Sequence, residues 1–264
     1  MTAIAREYAR GFFMQLHVIH ALILRETRTR FGKHSLGYVW AFMEPLTGVG
    51  IFLIMFLFTG RIPPSGTDAV GFLCTGFLPY GLFNGTMGKA RSAVGSNLAL
   101  LYYPQVHTLD LVTSRCILET ATIAITFFGA MLLNTIATQH LPLDSALKTL
   151  AGLGFAALLG SGFGLVLNSL CLVVPTAEHF IGPLLRPMFW VSGLFFSVHE
   201  LPSSTRDYFL LNPVLHIVEL TRDGWFETYD HQYYSYAYII YWILGLTFVG
   251  MVSEKMTRKY LMSA

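Results

Sequence analysis

Two Gly-Lys pairs are the first places where this chain might hold a phosphate. A phosphate loop needs G-x-x-x-x-G-K-[ST], so that backbone N–H groups and a lysine surround the ligand. Gly32-Lys33 is followed by His34 and has Thr27 where the first glycine belongs. Gly88-Lys89 is followed by Ala90 and has Phe83 there. Neither makes the loop, so no nucleotide site is expected in this chain. Gly160-Ser161-Gly162-Phe163-Gly164 sets a serine among glycines, but Leu159 replaces the glycine that a nucleophile turn requires. It reads as close helix packing through small residues. His199-Glu200 begins like H-E-x-x-H, yet Ser203 stands at the second histidine position. Cys74, Cys116 and Cys171 lie in apolar runs with no Cys or His at ligand spacing, and read as small apolar fillers. Asn84-Gly85-Thr86 matches the glycosylation triplet but ends an apolar run, and is set aside. These failures argue against an enzyme, a metal site or a disulfide framework.

What remains is a set of charges inside apolar runs: Glu44, Arg115, Glu119 and Arg186. A charge at the bilayer centre costs roughly 2.5–3.5 kcal/mol on the insertion scale, so each should face a partner or a wet cavity. Arg115 and Glu119 are four apart and are expected to pair along one helix face. Glu44 precedes Pro45, where it either pairs with a neighbouring helix or lines a path. Arg186 sits between Pro183 and Pro187, where carbonyls freed by proline are expected to accept its hydrogen bonds. Aromatics cluster at Tyr38, Trp40 and Phe42, and again at Phe189, Trp190, Phe195 and Phe196. An interfacial belt and a stacking surface for sugar rings both fit, and composition does not choose between them.

The elements that must position these residues follow from composition. Of 264 residues, 54% are apolar and 12% are charged, about half the roughly 25% of a soluble domain. This excludes a disordered chain, a coiled coil and an ordinary nucleic-acid binder. A bilayer core of about 30 Å takes about 20 apolar residues as a helix. Six such segments stand out: 36–60, 69–88, 109–138, 147–174, 180–198 and 233–252. The third is long enough to tilt or to project past the lipid. The second and fifth carry Pro79, Pro183 and Pro187, and are expected to be kinked.

Basic residues set the orientation. Arg6, Arg10, Arg25, Arg28, Arg30, Lys33, Lys89, Arg91, Lys255, Arg258 and Lys259 fall on one side, against Arg61, Lys148, Arg206 and Arg222 on the other. Both termini are therefore expected in the cytoplasm. Residues 11–24 are apolar but interrupted by Gln15, His17 and His20, and lack a cleavage site. Phe12, Leu16, Ile19 and Ile23 recur on one helix face. An amphipathic helix in the cytoplasmic interface is expected, its arginines towards lipid phosphate; packing on the bundle is the alternative. Residues 89–107 carry a short helix with an exposed apolar edge, which suggests a protein partner; a loop that packs back on its own spans is the alternative. In 199–232 two apolar pieces are divided by Asn212-Pro213, each too short to span. They read as a re-entrant pair at 203–222 or as flat surface helices.

Leu24-Arg25-Glu26-Thr27-Arg28-Thr29-Arg30-Phe31 leads into Leu36-Gly37-Tyr38-Val39-Trp40-Ala41-Phe42-Met43-Glu44-Pro45. This resembles the entry to the first span of ABC-2-type exporter permeases, and more narrowly the inner-membrane permease of capsular polysaccharide export. Tyr103-Pro104-Gln105-Val106, Arg186-Pro187-Met188-Phe189-Trp190-Val191-Ser192-Gly193 and the run from Leu211-Asn212-Pro213 to Glu219-Leu220 resemble further parts of that family, in order. The match departs at Lys33-His34-Ser35.

The resemblance implies an all-α polytopic membrane protein. Residues 1–35 would form the interfacial helix and basic linker, and 36–264 the transmembrane domain with six helices and the re-entrant pair. It implies a permease in the bacterial inner membrane that works as a homodimer with two cytoplasmic ATPase subunits. ATP and Mg would belong to those subunits, with no cofactor in this chain. The cargo implied is a lipid-linked anionic polysaccharide, passed on to periplasmic and outer-membrane export proteins; no nucleic acid is involved. On this reading Arg28, Arg30, Lys33 and His34 attract the lipid head group. Tyr38, Trp40, Glu44, Arg186 and Trp190 line the path. Lys89, Arg91, Asn97, Leu100 and Tyr102 couple to the ATPase. Export of another lipid-linked glycan, of O-antigen or teichoic acid type, or an intramembrane enzyme are the alternatives.

Overall fold

The computed structural model describes residues 3–31, 35–64, 66–229 and 233–263, and among them there is no strand. Nine α-helices run among these residues: α1 Ala3–Phe31, α2 Ser35–Thr59, α3 Ala69–Arg91, α4 Thr108–Thr138, α5 Ala146–Val173, α6 Ala177–Val191, α7 Ser203–Phe209, α8 Pro213–Trp225 and α9 Tyr236–Ser263. Short 3-10 helices at Gly95–Tyr102 and Val198–Glu200 join them.

Among the described residues, four helices are long and apolar enough to cross a membrane: Val39–Thr59, Thr108–Thr138, Ala146–Val173 and Tyr236–Thr257. Helix α3 has 23 residues, but Asn84, Lys89 and Arg91 dilute its apolar character. Helix α6 has 15 residues, about 22 Å, short of the roughly 30 Å hydrocarbon core. It ends at Val191 rather than continuing to 198, because Gly193 turns the chain at φ 76°. A Cβ there would also meet Leu215. The expected fifth span is thus a short helix followed by a turn.

Local chemistry fixes the helix starts. Asp68 caps α3 by accepting from the Gly71 N–H at 2.8 Å, and Asn134 of α4 donates to the same carboxylate at 2.9 Å. Asn212 caps α8 by accepting from the Val214 N–H, and Pro213 takes the first helical position, where its missing N–H is harmless.

Small residues then set how closely helices approach. On α5, a Cβ at Gly160 would collide with Thr86 and the Phe83 carbonyl, and one at Gly164 with Ala90 and Met87. Gly152 leaves the same room for Thr221 of α8. Helix α5 therefore holds α3 and α8 against itself. Every residue of α8 is buried. Its far end is tied to the start of α5, where the Ser145 N–H donates to the Gly224 carbonyl. Its near end, Pro213, lines one small cavity with Phe83 and Leu159. Leu159 lies thirteen residues into α5, about 20 Å from that helix start.

Arg222 and Glu219 of α8 are fully buried and 3.3 Å apart. Arg222 donates to the Phe196 carbonyl and lies over the Phe72 ring. Tyr229 donates to Glu219 at 2.8 Å, and burial, then the Glu219 charge, push its phenol above the ordinary value. It stays protonated and remains a donor.

Helix α1 lies along the N-terminal part of α4. Gln15 donates to Asp110, Glu26 sits 3.1 Å from Arg115, and Arg30 reaches Glu119 at 2.5 Å. This overturns the expected Arg115–Glu119 pair. Each takes an opposite charge from α1 instead, because α1 presents Glu26 and Arg30 one turn apart against that face.

Candidate functional site

The C-terminal half of α3 presents Tyr80, Asn84, Met87 and Arg91 at spacings of four, three and four, which is one helix face. Facing it, α6 presents Ile181, Leu185, Arg186, Phe189 and Trp190. Between them lies a cavity of about 580 Å³. Gly88 and Gly182 also line it, and neither has a neighbour where a Cβ would be. Its upper wall is aromatic: the Phe189 ring lies 5.5 Å from Tyr80 and 5.4 Å from Trp190, and Trp190 stacks on Phe195 at 5.2 Å. Trp190 remains 61% exposed. Arg91 and Arg186 supply two positive charges. No hydrogen bond or ion pair of Arg186 is found among the described residues. Its side chain lies in the cavity rather than on the carbonyls freed by Pro183 and Pro187, so that expectation fails.

A second cavity, of about 470 Å³, lies on the other side of the same α3 segment. Arg30, Glu44, Asn84, Lys89 and Glu119 line it, and Asn84 and Gly88 border both cavities. The Arg30–Glu119 pair forms one wall, with Glu119 only 8% exposed. Gly85 makes that possible, since a Cβ there would stand 2.5 Å from the Glu119 carboxylate. Chemically, the first cavity offers cations, an amide and aromatic faces, which suit an acidic sugar chain. The second offers mixed charge beside the C-terminal end of α3.

The structure regroups the residues singled out from sequence. Of the path set, Arg186 and Trp190 come together in the first cavity, and Glu44 lies in the second. Trp40 is 70% exposed on α2 and borders neither. The side chain of Tyr38 lies outside the described structure, as do Lys33 and His34 altogether. Of the head-group set, Arg28 is exposed and Arg30 is paired.

Of the coupling set, Asn97 is buried; it accepts from Arg25 at 2.8 Å and donates to the Ala93 carbonyl. Leu100 packs inward against Leu22, Ala90 and Leu111, and Lys89 lines the second cavity. Asn97 and Leu100 therefore tie the inner side of the 3-10 segment to α1 and α4. The outward edge is Leu98, Tyr102 and Tyr103, with Tyr102 89% exposed.

Residues 17–226 match the family described as ABC-2 type transporter. The chain belongs to that family. It is 32% identical over 248 residues to the capsule polysaccharide export inner-membrane protein CtrC of Neisseria meningitidis serogroup B, covering 91% of this chain and 93% of that protein. It is 30% identical over 242 residues to the polysialic acid transport protein KpsM of Escherichia coli, with the same coverage. The capsule polysaccharide export inner-membrane protein BexB of Haemophilus influenzae is 29% identical over 252 residues, 94% of each chain.

Two residues not singled out from sequence, Tyr80 and Asn84, line the first cavity. Asn84 was passed over as part of a glycosylation triplet. The signal that finds it is the spacing of Tyr80, Asn84 and Arg91, polar side chains on one face of an otherwise largely apolar helix.

Proposed function

We propose that this chain is the membrane-spanning permease subunit of an exporter that moves lipid-linked, acidic capsular polysaccharide from the cytoplasm to the periplasm. The observation that carries it is the cavity between α3 and α6, where Arg91 and Arg186 face Tyr80, Asn84 and Trp190. Guanidinium groups attract acidic sugars and aromatic planes stack on sugar rings, so a chain can slide from contact to contact. The names of the relatives support the same cargo class.

The cavity is open on one side. On α6 only Ile181 is buried, while Phe180, Leu184 and Trp190 are exposed. A second copy of the chain would close it, making a homodimer with the path at the interface. Family membership supports a cytoplasmic ABC ATPase partner that supplies ATP hydrolysis, with ATP and Mg bound there. Periplasmic and outer-membrane proteins then receive the polymer.

In this reading α3, and α6 together with the turn that follows it to Val198, complete six crossings of the bacterial inner membrane. Both termini are cytoplasmic, and the α7–α8 pair re-enters from the periplasm. The depth of Pro213, about 20 Å from the start of α5, supports that re-entry. Arg28 and Arg30 attract the lipid phosphate, and the edge Leu98, Tyr102 and Tyr103 meets the ATPase.

Arg186→Glu tests the proposal in cells, with surface polysaccharide as the readout. Export should fall by about tenfold or more, the worth of one lost charge-assisted contact. Chain level and ATPase co-purification should not change. Normal export by Arg186→Glu would remove this cavity from the path.

A further inference from the structure

A third cavity, of about 200 Å³, opens at the cytoplasmic corner where α3 ends, α5 ends and α6 begins. Arg91, Ser92, Ser96, Asn168 and Glu178 line it. Asn168 is 1% exposed, and neither its amide oxygen nor its amide nitrogen has a hydrogen-bond partner. A buried amide with no partner on either side is costly, and native proteins rarely leave one so. The Ser92 hydroxyl is already committed, donating to the Gly88 carbonyl and accepting from Arg115. Arg91 Nη2 and Glu178 Oε1 are 3.9 Å apart, longer than a hydrogen bond, and the buried Arg91 Nε has no partner either. The corner therefore presents one cation, one anion, and an amide that lacks both a donor and an acceptor.

We propose that this corner binds the head group of an inner-leaflet phospholipid of the ethanolamine type. The phosphate would accept from Arg91 and from the Asn168 amide nitrogen. The ammonium would donate to Glu178 and to the Asn168 amide oxygen. A simple anion leaves the Asn168 oxygen unmet, and a simple cation leaves its nitrogen unmet. A head group with phosphate and N–H donors at the two ends of a short linker meets both, and it also answers the charges of Arg91 and Glu178. A choline head group fails because it has no N–H. Cavity size fits a head group rather than a whole molecule, being below the 300–1,000 Å³ typical of small-ligand pockets. Position fits as well: Lys89 and Arg91 close α3 at the level where basic residues meet the cytoplasmic lipid surface. The site does not depend on which cargo the transporter carries.

The test is native mass spectrometry of the full chain, stripped of lipid in detergent and titrated with phosphatidylethanolamine, phosphatidylcholine or phosphatidylglycerol. Phosphatidylethanolamine should bind about tenfold more tightly than either of the others, the value of one charge-assisted hydrogen bond. Asn168→Leu should abolish that preference. Glu178→Gln, at an exposed rim position where folding is not at risk, should bring phosphatidylethanolamine down to the level of phosphatidylcholine. Equal binding of the three lipids by the wild-type chain would overturn the proposal and leave the amide to water. A preference that survives Asn168→Leu would overturn it too. So would an Asn168→Leu chain that keeps its lipid preference but loses a co-purifying ATPase, which would make the corner a protein socket.

Discussion

Helices α6 and α8 are both short, at 15 and 13 residues, and neither is long enough to cross a bilayer. Yet α8 is buried along its whole length, and α6 buries only Ile181. Their surroundings explain the difference. Helix α8 is wedged against α3 and α5, which carry glycines where it and its neighbours approach, and its charges are neutralised inside the chain. Helix α6 faces α3 across a hollow lined by arginines and aromatic rings. A short helix is thus used twice: once as a plug that completes a packed core, once as the wall of an open cavity. The same α3 serves both, with its Asp68 end packed and its Arg91 end wet.

The plug should break first. Glu219→Ala would leave the fully buried Arg222 without its carboxylate, a change that costs about 3–5 kcal/mol in buried pairs. Thermal unfolding of the purified chain should show a large loss, and Glu219→Leu with Arg222→Met should restore most of it. If the single change is nearly silent, the plug is held by packing alone.

Next in size is crowding of α5. Gly164→Val should cost about 1–3 kcal/mol, since Ala90 and Met87 fill the space. Gly182→Ala on α6, with open space around it, should stay within about 0.5 kcal/mol. A similar loss at both positions would mean that α6 is not the loose wall described here.

Much of this contrast was legible in the sequence, for physical reasons that differ by residue. Asn212-Pro213 marks a helix start by cap chemistry that is local, so the break between α7 and α8 can be read without neighbours. The small residues around Gly160 announce close packing in the same way. Arg186 and Trp190 stand four apart on one helix, so their shared cavity follows from α6 alone once the helix exists. Partner choice is not local. Arg115 and Glu119 look like a pair until α1 supplies Glu26 and Arg30. Asn97 and Leu100 look like an outward edge until Arg25 and the packing around Leu22 turn them in. Glu219 and Arg222 give no warning either, because nothing in their own segment says that its charges are buried under Phe72 and Tyr229.

Loss of the partner surface should come with little loss of stability. Leu184→Glu places a charge on the exposed face of α6, 76% exposed in the single chain. If a second copy covers that face, the dimer should weaken by about tenfold or more while the monomer melts unchanged. Mass photometry of the detergent-solubilised chain reads this directly. A dimer indifferent to Leu184→Glu would place the interface elsewhere and leave α6 facing lipid.

The smallest expected effect separates the two tryptophans that sequence set side by side. Trp190 stacks on Phe195 and forms part of the cavity wall opposite Tyr80 and Asn84, so Trp190→Ala removes a sliding surface but no charge. A drop of about two- to fivefold in export is expected, less than for Arg186→Glu, because a stacking contact is worth about 0.5–1.5 kcal/mol. Trp40 borders neither cavity, and Trp40→Ala should leave export within the scatter of a neutral surface change, about 0.5 kcal/mol. Should Trp40→Ala prove the more damaging of the two, the cargo would run along α2, and the hollow between α3 and α6 would have to be filled by the second copy instead.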